Sequence, residues 1–294
     1  MTLPPVSSVE SESPSSSLAV SLNPTHAATS QLLPQTLKPP RFQSLRSITA
    51  LVLREMESTY GRQPGGYVWA ILKPVGMILL LSLAFSMIVH KPPLGVSFIF
   101  FYATGFLPFD IYTTMSSSIS TALSYSRPLL SYPRVTWIDT IIARAVLNGL
   151  TQFIVFFLVI FGIILLYETR SRIDMGPLLL GLIMVMTIGI GVGAVNALLI
   201  GLYPVWGMIW GILSRPLFLI SGVLFIPEMM PHDVARYLTW NPLIHAVGLI
   251  RQGLFPTYDA PYVSLVYGFG VGIGLCAIGL IFLGANYKTV LQQQ

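Results

Sequence analysis

The stretch Arg54–Pro74, REMESTYGRQPGGYVWAILKP, decides how the rest of the chain is read. It opens with charged and polar residues, breaks at Pro64-Gly65-Gly66, and runs into residues that carry no charge from Pro74 to Val89. Upstream, Phe42, Leu45, Ile48, Val52 and Met56 recur at intervals of three and four and so share one helical face. Arg46, Arg54 and Glu57 fall largely elsewhere on that helix. The reading over 41–63 is an amphipathic helix on a membrane surface rather than a helix packed on a soluble domain. Proline removes a backbone donor and glycine relaxes the chain, so the backbone can turn into lipid after Pro64. Tyr67 and Trp69 then fall where interfacial aromatic residues belong, and Lys73 can reach back towards the headgroups.

Composition supports a bilayer. The chain of 294 residues is 54% hydrophobic and 9% charged, with a mean hydropathy of +0.74. Soluble domains carry roughly 25% charged residues, so this chain has too little polar surface for a soluble globule. The net charge of +5 comes from residues scattered beside apolar runs, which argues against a nucleic-acid-binding domain. Cys276 is the one cysteine; it lies in an apolar run and reads as packing. Residues 1–40 are rich in Ser and Pro, are expected to be a disordered tail, and lack the basic start and apolar core of a signal peptide.

A hydrocarbon core of about 30 Å needs about 20 helical residues. Six runs qualify, at 67–89, 96–123, 137–166, 177–202, 208–226 and 262–283. The expected fold is therefore an all-α integral membrane protein with six transmembrane helices over 64–288. If the amino terminus is inside, Lys38, Arg41, Arg46, Arg54, Arg62, Lys73, Arg127, Arg134 and Lys288 lie inside. Lys91, Arg170, Arg172, Arg236 and Arg251 lie outside, and the excess of inside cations places both termini in the cytoplasm.

No phosphate-binding loop, zinc-protease helix or serine-hydrolase elbow occurs. The polar chemistry sits elsewhere. Asp110, Thr113, Thr114, Ser117, Thr121 and Ser124 fall on one face of the second run. They read equally as a stripe on a translocation path or as hydroxyls bonding their own helix. Gly189, Gly193, Ala197 and Gly201, with Gly268/Gly272 and Gly270/Gly274, form rows that allow close helix packing, read as packing within the subunit in preference to a dimer seam. Residues 124–136 place apolar side chains in a short wet loop, which reads as a docking surface or as a loop folded back into the headgroups. Residues 227–261 are too apolar for a plain loop; Leu243, Val247, Ile250 and Leu254 hold helical spacing after Asn241-Pro242, which suggests re-entrant helices before the last span.

Four motifs, TYGRQPGGYVWAILKP, RPLLSYPRVTWIDTIIAR, RPLFLISGVLFIPEMMP and WNPLIHAVGLIR, resemble those of type-2 ABC exporter permeases, nearest to the capsular polysaccharide and O-antigen exporters. The resemblance spans about 42–288. It implies a homodimer in the bacterial inner membrane, joined to two copies of a separate ATPase that binds ATP and Mg, with no cofactor or metal in this chain. It implies a coupling surface at Arg127, Pro128, Leu129, Leu130, Tyr132, Pro133 and Arg134, flanked by Arg54 and Arg62. It implies an outer gate over 227–261 with Trp240, Asn241, Pro242, His245 and Arg251, and a path bordered by Tyr67, Trp69, Arg215 and Phe218. The expected cargo is a lipid-linked polysaccharide, with periplasmic co-polymerase or export proteins as further partners. Rival readings are the same fold exporting a drug or small lipid, an intramembrane lipid-sugar enzyme using His245 with Asp233, and an ion-driven carrier using Asp110, Arg144 and Arg215.

Overall fold

The computed structural model describes residues 43–60, 65–130, 136–167, 169 and 173–293. The expected tail over 1–40 and the sites Arg62, Tyr132, Pro133 and Arg134 lie outside the described residues. The described chain is helical throughout: α1 (Gln43–Tyr60), α2 (Gly66–Ser86), α3 (Phe98–Ser120), α4 (Ala122–Leu130), α5 (Trp137–Leu166), α6 (Met175–Leu202), α7 (Val205–Ile220), α8 (His232–Leu238), α9 (Pro242–Leu254) and α10 (Leu265–Gln293). A 3-10 turn covers Pro227–Met229.

Local chemistry sets the boundaries. α2 starts from Gly65 in the left-handed region, at φ 86°, which glycine adopts without a Cβ penalty. Ser97 caps α3 by accepting from the Phe100 amide at 3.4 Å. Thr136 and Asp139 form a reciprocal capping box at the start of α5. Asp174 accepts from the Gly176 amide at 3.0 Å to open α6.

Four helices, α2, α5, α6 and α10, are long and apolar enough to cross a membrane. The chain is a helical membrane protein. α3 is long but more polar, and α7 has 16 residues, a rise of about 24 Å at 1.5 Å per residue. The apolar run expected at 208–226 therefore splits: helix to Ile220, then a turn through Gly222 at φ 74°. The second run splits too. α3 ends at Ser120, so Ser124 belongs to α4, and the expected wet loop at 124–136 begins as helix.

α6 is the hub. It packs along α10, α3 and α9; α3 also meets α2, α5 and α9, while α1 and α4 lie on α5. In lipid, close van der Waals contact drives helix association more than hydrophobic burial does. The small residues serve this. A Cβ at Gly189 would lie 2.8 Å from Met115 Cβ on α3, and one at Gly272 would lie 3.0 Å from the Ile188 amide nitrogen. Gly189 and Gly272 thus serve packing within the subunit. Gly270 and Gly274 differ, since nothing lies within 4 Å of a Cβ at either.

Candidate functional site

Three polar assemblies are built on this frame. The first lies at the end of the bundle carrying α1 and α4. α1 packs on α5 through a face containing buried Leu51 and mostly buried Glu55, while Met56 is exposed. Of the expected apolar row, Ile48 and Val52 are half-buried and Met56 is exposed, while the polar Glu55 is turned to α5. Arg144 Nη2 lies 2.9 Å from Glu55 Oε1. The expected docking residues Arg127 and Pro128 are exposed on α4; Leu129 and Leu130 complete that helix. Arg54 is exposed on α1, its guanidinium 6.0 Å from the Tyr125 ring centre.

The second assembly runs along α3. Thr113, Ser117 and Thr121 are exposed, Thr114 is half-buried, and Asp110 is buried. Thr113 donates to Phe109 O at 2.8 Å, Ser117 to Thr114 O at 3.2 Å and Thr121 to Ser117 O at 3.1 Å. The hydroxyls of Thr113, Ser117 and Thr121 thus bond their own helix, and Thr121 Oγ1 also accepts from Arg144 Nη1 on α5 at 2.8 Å. Asp110 is different. It lies 3.5 Å from Lys73 Nζ on α2 and accepts from Gln152 Nε2 on α5 at 3.1 Å. Lys73, expected to reach back towards the headgroups, also pairs with Asp110; its side chain stays 72% exposed against 10% for the carboxylate. Above this face, Phe218 of α7 meets Phe109 edge-on, ring centres 5.1 Å apart. Arg215, Tyr67 and Trp69 are exposed on α7 and α2.

The third assembly is α9. Residues 243–251 are buried without a break, so α9 rests on protein. Asn241 caps it, accepting from the Leu243 amide at 3.1 Å, and Pro242 occupies the first turn, where no donor is lost. The same Asn241 donates to Ile220 O and Ser221 Oγ, both at 3.1 Å. Arg251, 0% exposed, donates to Phe225 O at 3.0 Å and Val223 O at 3.2 Å, with its guanidinium 4.4 Å from the Phe101 ring centre. Asn241 thus bonds the last carbonyl of α7, and Arg251 bonds two carbonyls of the turn that follows it. Arg251, counted among the outer loop charges in the sequence, is an interior residue.

His245 is also interior. Its Nε2 lies 2.9 Å from Thr239 O and its Nδ1 accepts from the Ser264 amide at 3.1 Å. Those bonds occupy both ring nitrogens, and Asp233 is not among its partners. Burial holds the imidazole below its ordinary pKa, against the opposing pull of its backbone bonds. Trp240 is 75% exposed and borders an open cleft of about 560 Å³ with Thr239, His245, Tyr262 and Tyr267.

Sequence reasoning missed Glu55, Tyr125 and Gln152, and gave Arg144 only to the ion-driven rival. An arginine inside an apolar run is itself a signal, because such a charge needs a partner. Its partner could not be named from spacing.

Comparison with known proteins gives the following. Residues 46–255 match the family described as ABC-2 type transporter. The chain is 32% identical over 244 residues to polysialic acid transport protein KpsM of Escherichia coli, covering 83% of this chain and 93% of that protein. It is 25% identical over 249 residues to capsule polysaccharide export inner-membrane protein BexB of Haemophilus influenzae, covering 85% and 94%. It is 24% identical over 243 residues to capsule polysaccharide export inner-membrane protein CtrC of Neisseria meningitidis, covering 81% and 88%.

Proposed function

The chain belongs to the ABC-2 type transporter family, and on that premise we propose that it is the membrane permease of an exporter carrying capsular polysaccharide across the bacterial inner membrane. The observation that carries this reading is similarity along most of the chain to transport and export proteins of that kind. The cargo crosses as a lipid-linked chain, and ATP with Mg is bound by a separate ATPase subunit.

In this reading six helices cross the membrane: the four long apolar ones, with α3 and the short α7. The turn at 221–226 and α9 complete the outer side as a re-entrant gate. α1 lies at the cytoplasmic interface, both termini are cytoplasmic, and α4 with the segment through Arg134 docks on the ATPase. Two copies of the chain face one another. Support comes from α7, which has no buried residue, and from α2, where Val68, Trp69, Leu72, Leu80 and Leu83 are exposed. Between the copies, the open face of Thr113, Ser117 and Thr121 would meet the sugar chain. Hydroxyls suit the polar edges of sugars, and Tyr67, Trp69 and Phe218 suit their apolar faces.

The mechanism follows from coupling. Binding of ATP closes the ATPase pair, α4 and α1 move, and the helices exchange an inward for an outward arrangement, which requires different contacts in the two states. Loss of the chain from its host should leave polysaccharide inside the cell, with surface polymer restored by the wild-type chain. Normal surface polymer together with increased sensitivity to drugs would overturn the reading in favour of small-molecule export.

A further inference from the structure

The geometry points to Arg144 as a positioning residue that joins the α1–α4 surface to the hydroxyl face of α3. The inference rests on the exporter reading above. Arg144 lies about two turns into α5. Its Nη2 is 2.9 Å from Glu55 Oε1 on α1. Its Nη1 donates to Ser118 O at 2.6 Å and to Thr121 Oγ1 at 2.8 Å. Its guanidinium carbon is 4.5 Å from the centre of the Tyr125 ring on α4. The Tyr125 hydroxyl in turn bonds Ser58 Oγ on α1. One turn along α5, Asn148 donates to Ser118 Oγ at 2.7 Å.

A single side chain of α5 therefore touches α1, α4 and the end of α3. The site on α3 is favourable for a cation. The helix stops at Ser120, with Thr121 at φ −99° and ψ 7°, and a helix that stops leaves carbonyls and partial negative charge at its end. The guanidinium offers its face to Tyr125 and its edges to Glu55 and Ser118, a division that a lysine ammonium cannot reproduce. Arg144 and Glu55 have side-chain exposures of 7% and 12%. Removing one charge leaves the other nearly buried and uncompensated. α1 and α4 hence cannot shift without breaking this cluster or carrying the end of α3 with them. Thr121, the point of attachment, terminates the open face formed with Thr113 and Ser117. Movement at the docking surface is delivered there.

The test uses the full chain assembled with its ATPase in membrane vesicles, comparing the wild type with Glu55→Gln, Arg144→Lys, Arg144→Met and the E55Q/R144M double variant. Polymer exported per ATP hydrolysed should fall about tenfold in Arg144→Met, the scale of one charge-assisted contact, while hydrolysis itself persists. Arg144→Lys should fall towards the same level. The double variant should be no worse than Arg144→Met, since both substitutions remove one shared contact. Glu55→Gln preserves shape and keeps the test decisive if Arg144→Met fails to accumulate. Wild-type coupling in Glu55→Gln and Arg144→Lys, additive losses in the double variant, or a parallel fall of hydrolysis and export would each overturn the inference. Absence of ATP-driven polymer export by the wild type would overturn the exporter reading, and the inference with it.

Discussion

Ser117 and Asn241 show how different one polar residue can be from another in this bundle. Ser117 is exposed, and its hydroxyl bonds its own helix, to Thr114 O at 3.2 Å. Its replacement by leucine removes that bond within α3. Ser117→Leu should leave protein level and melting temperature unchanged, yet lower polymer export several-fold if this face lines the path. Equal export would remove Ser117 from the path. Asn241, in contrast, serves two structures at once, the start of α9 and the end of α7. Loss of a helix cap typically costs about 1 kcal/mol, and Asn241→Ala also deprives Ile220 O of its donor. A lowered melting temperature in detergent, with faster proteolysis in the 221–226 turn, is the expected result. An unchanged melting curve would show that Arg251 alone suffices to hold that turn.

Among the helices, α6 and α9 carry the clearest predictions. A Cβ at Gly193 would lie 2.8 Å from Ile119 Cβ and 3.0 Å from Ser116 O. Since backbone cannot yield as a side-chain tip can, Gly193→Val should cost about 1–3 kcal/mol by overpacking. Gly270→Ala, with open space at its Cβ, should be neutral. A melting series of the two variants checks both outcomes. α9 carries a pH dependence. His245 is held below its ordinary pKa by burial, so the packed state favours the neutral ring. The stability it contributes is whole above the free-imidazole value of about 6.5 and is lost as pH falls through the lower packed value. Amide exchange of α9 should quicken on acidification below that point, and His245→Gln should flatten the response. Exchange that is pH-independent after correction for intrinsic rates would exclude it.

At the scale of the molecule, the outer surface of α7 is the conspicuous feature. Met208 is 75% exposed and Ile212 68% exposed, on a helix without a buried side chain. If two copies meet across α7 and α2, a cysteine at Met208 or Ile212, in a Cys276→Ser background, should cross-link symmetrically in membranes. Monomer at both positions, with a cysteine on the outer face of α5 such as Leu158→Cys dimerising instead, would move the interface.

The helical course was legible in the sequence because apolar runs and breakers are local. The run at 137–166 coincides with α5, and the run at 177–202 differs from α6 by two residues at its start. The hydroxyl row on α3 and the small-residue rows on α6 and α10 followed from helical periodicity alone. The membrane class, the helix order and the resemblance of four motifs were thus determined by the sequence, since each depends on neighbours within a few turns. Only the tertiary structure decided which charges meet. Lys73 finds Asp110, Glu55 finds Arg144, and Arg251 finds the carbonyls after α7. Those partners are 37, 89 and 26 to 28 residues apart in the chain. Helical spacing fixes the side of a helix on which a charge lies. The helix that comes to face it depends on how all the close-packed surfaces fit together.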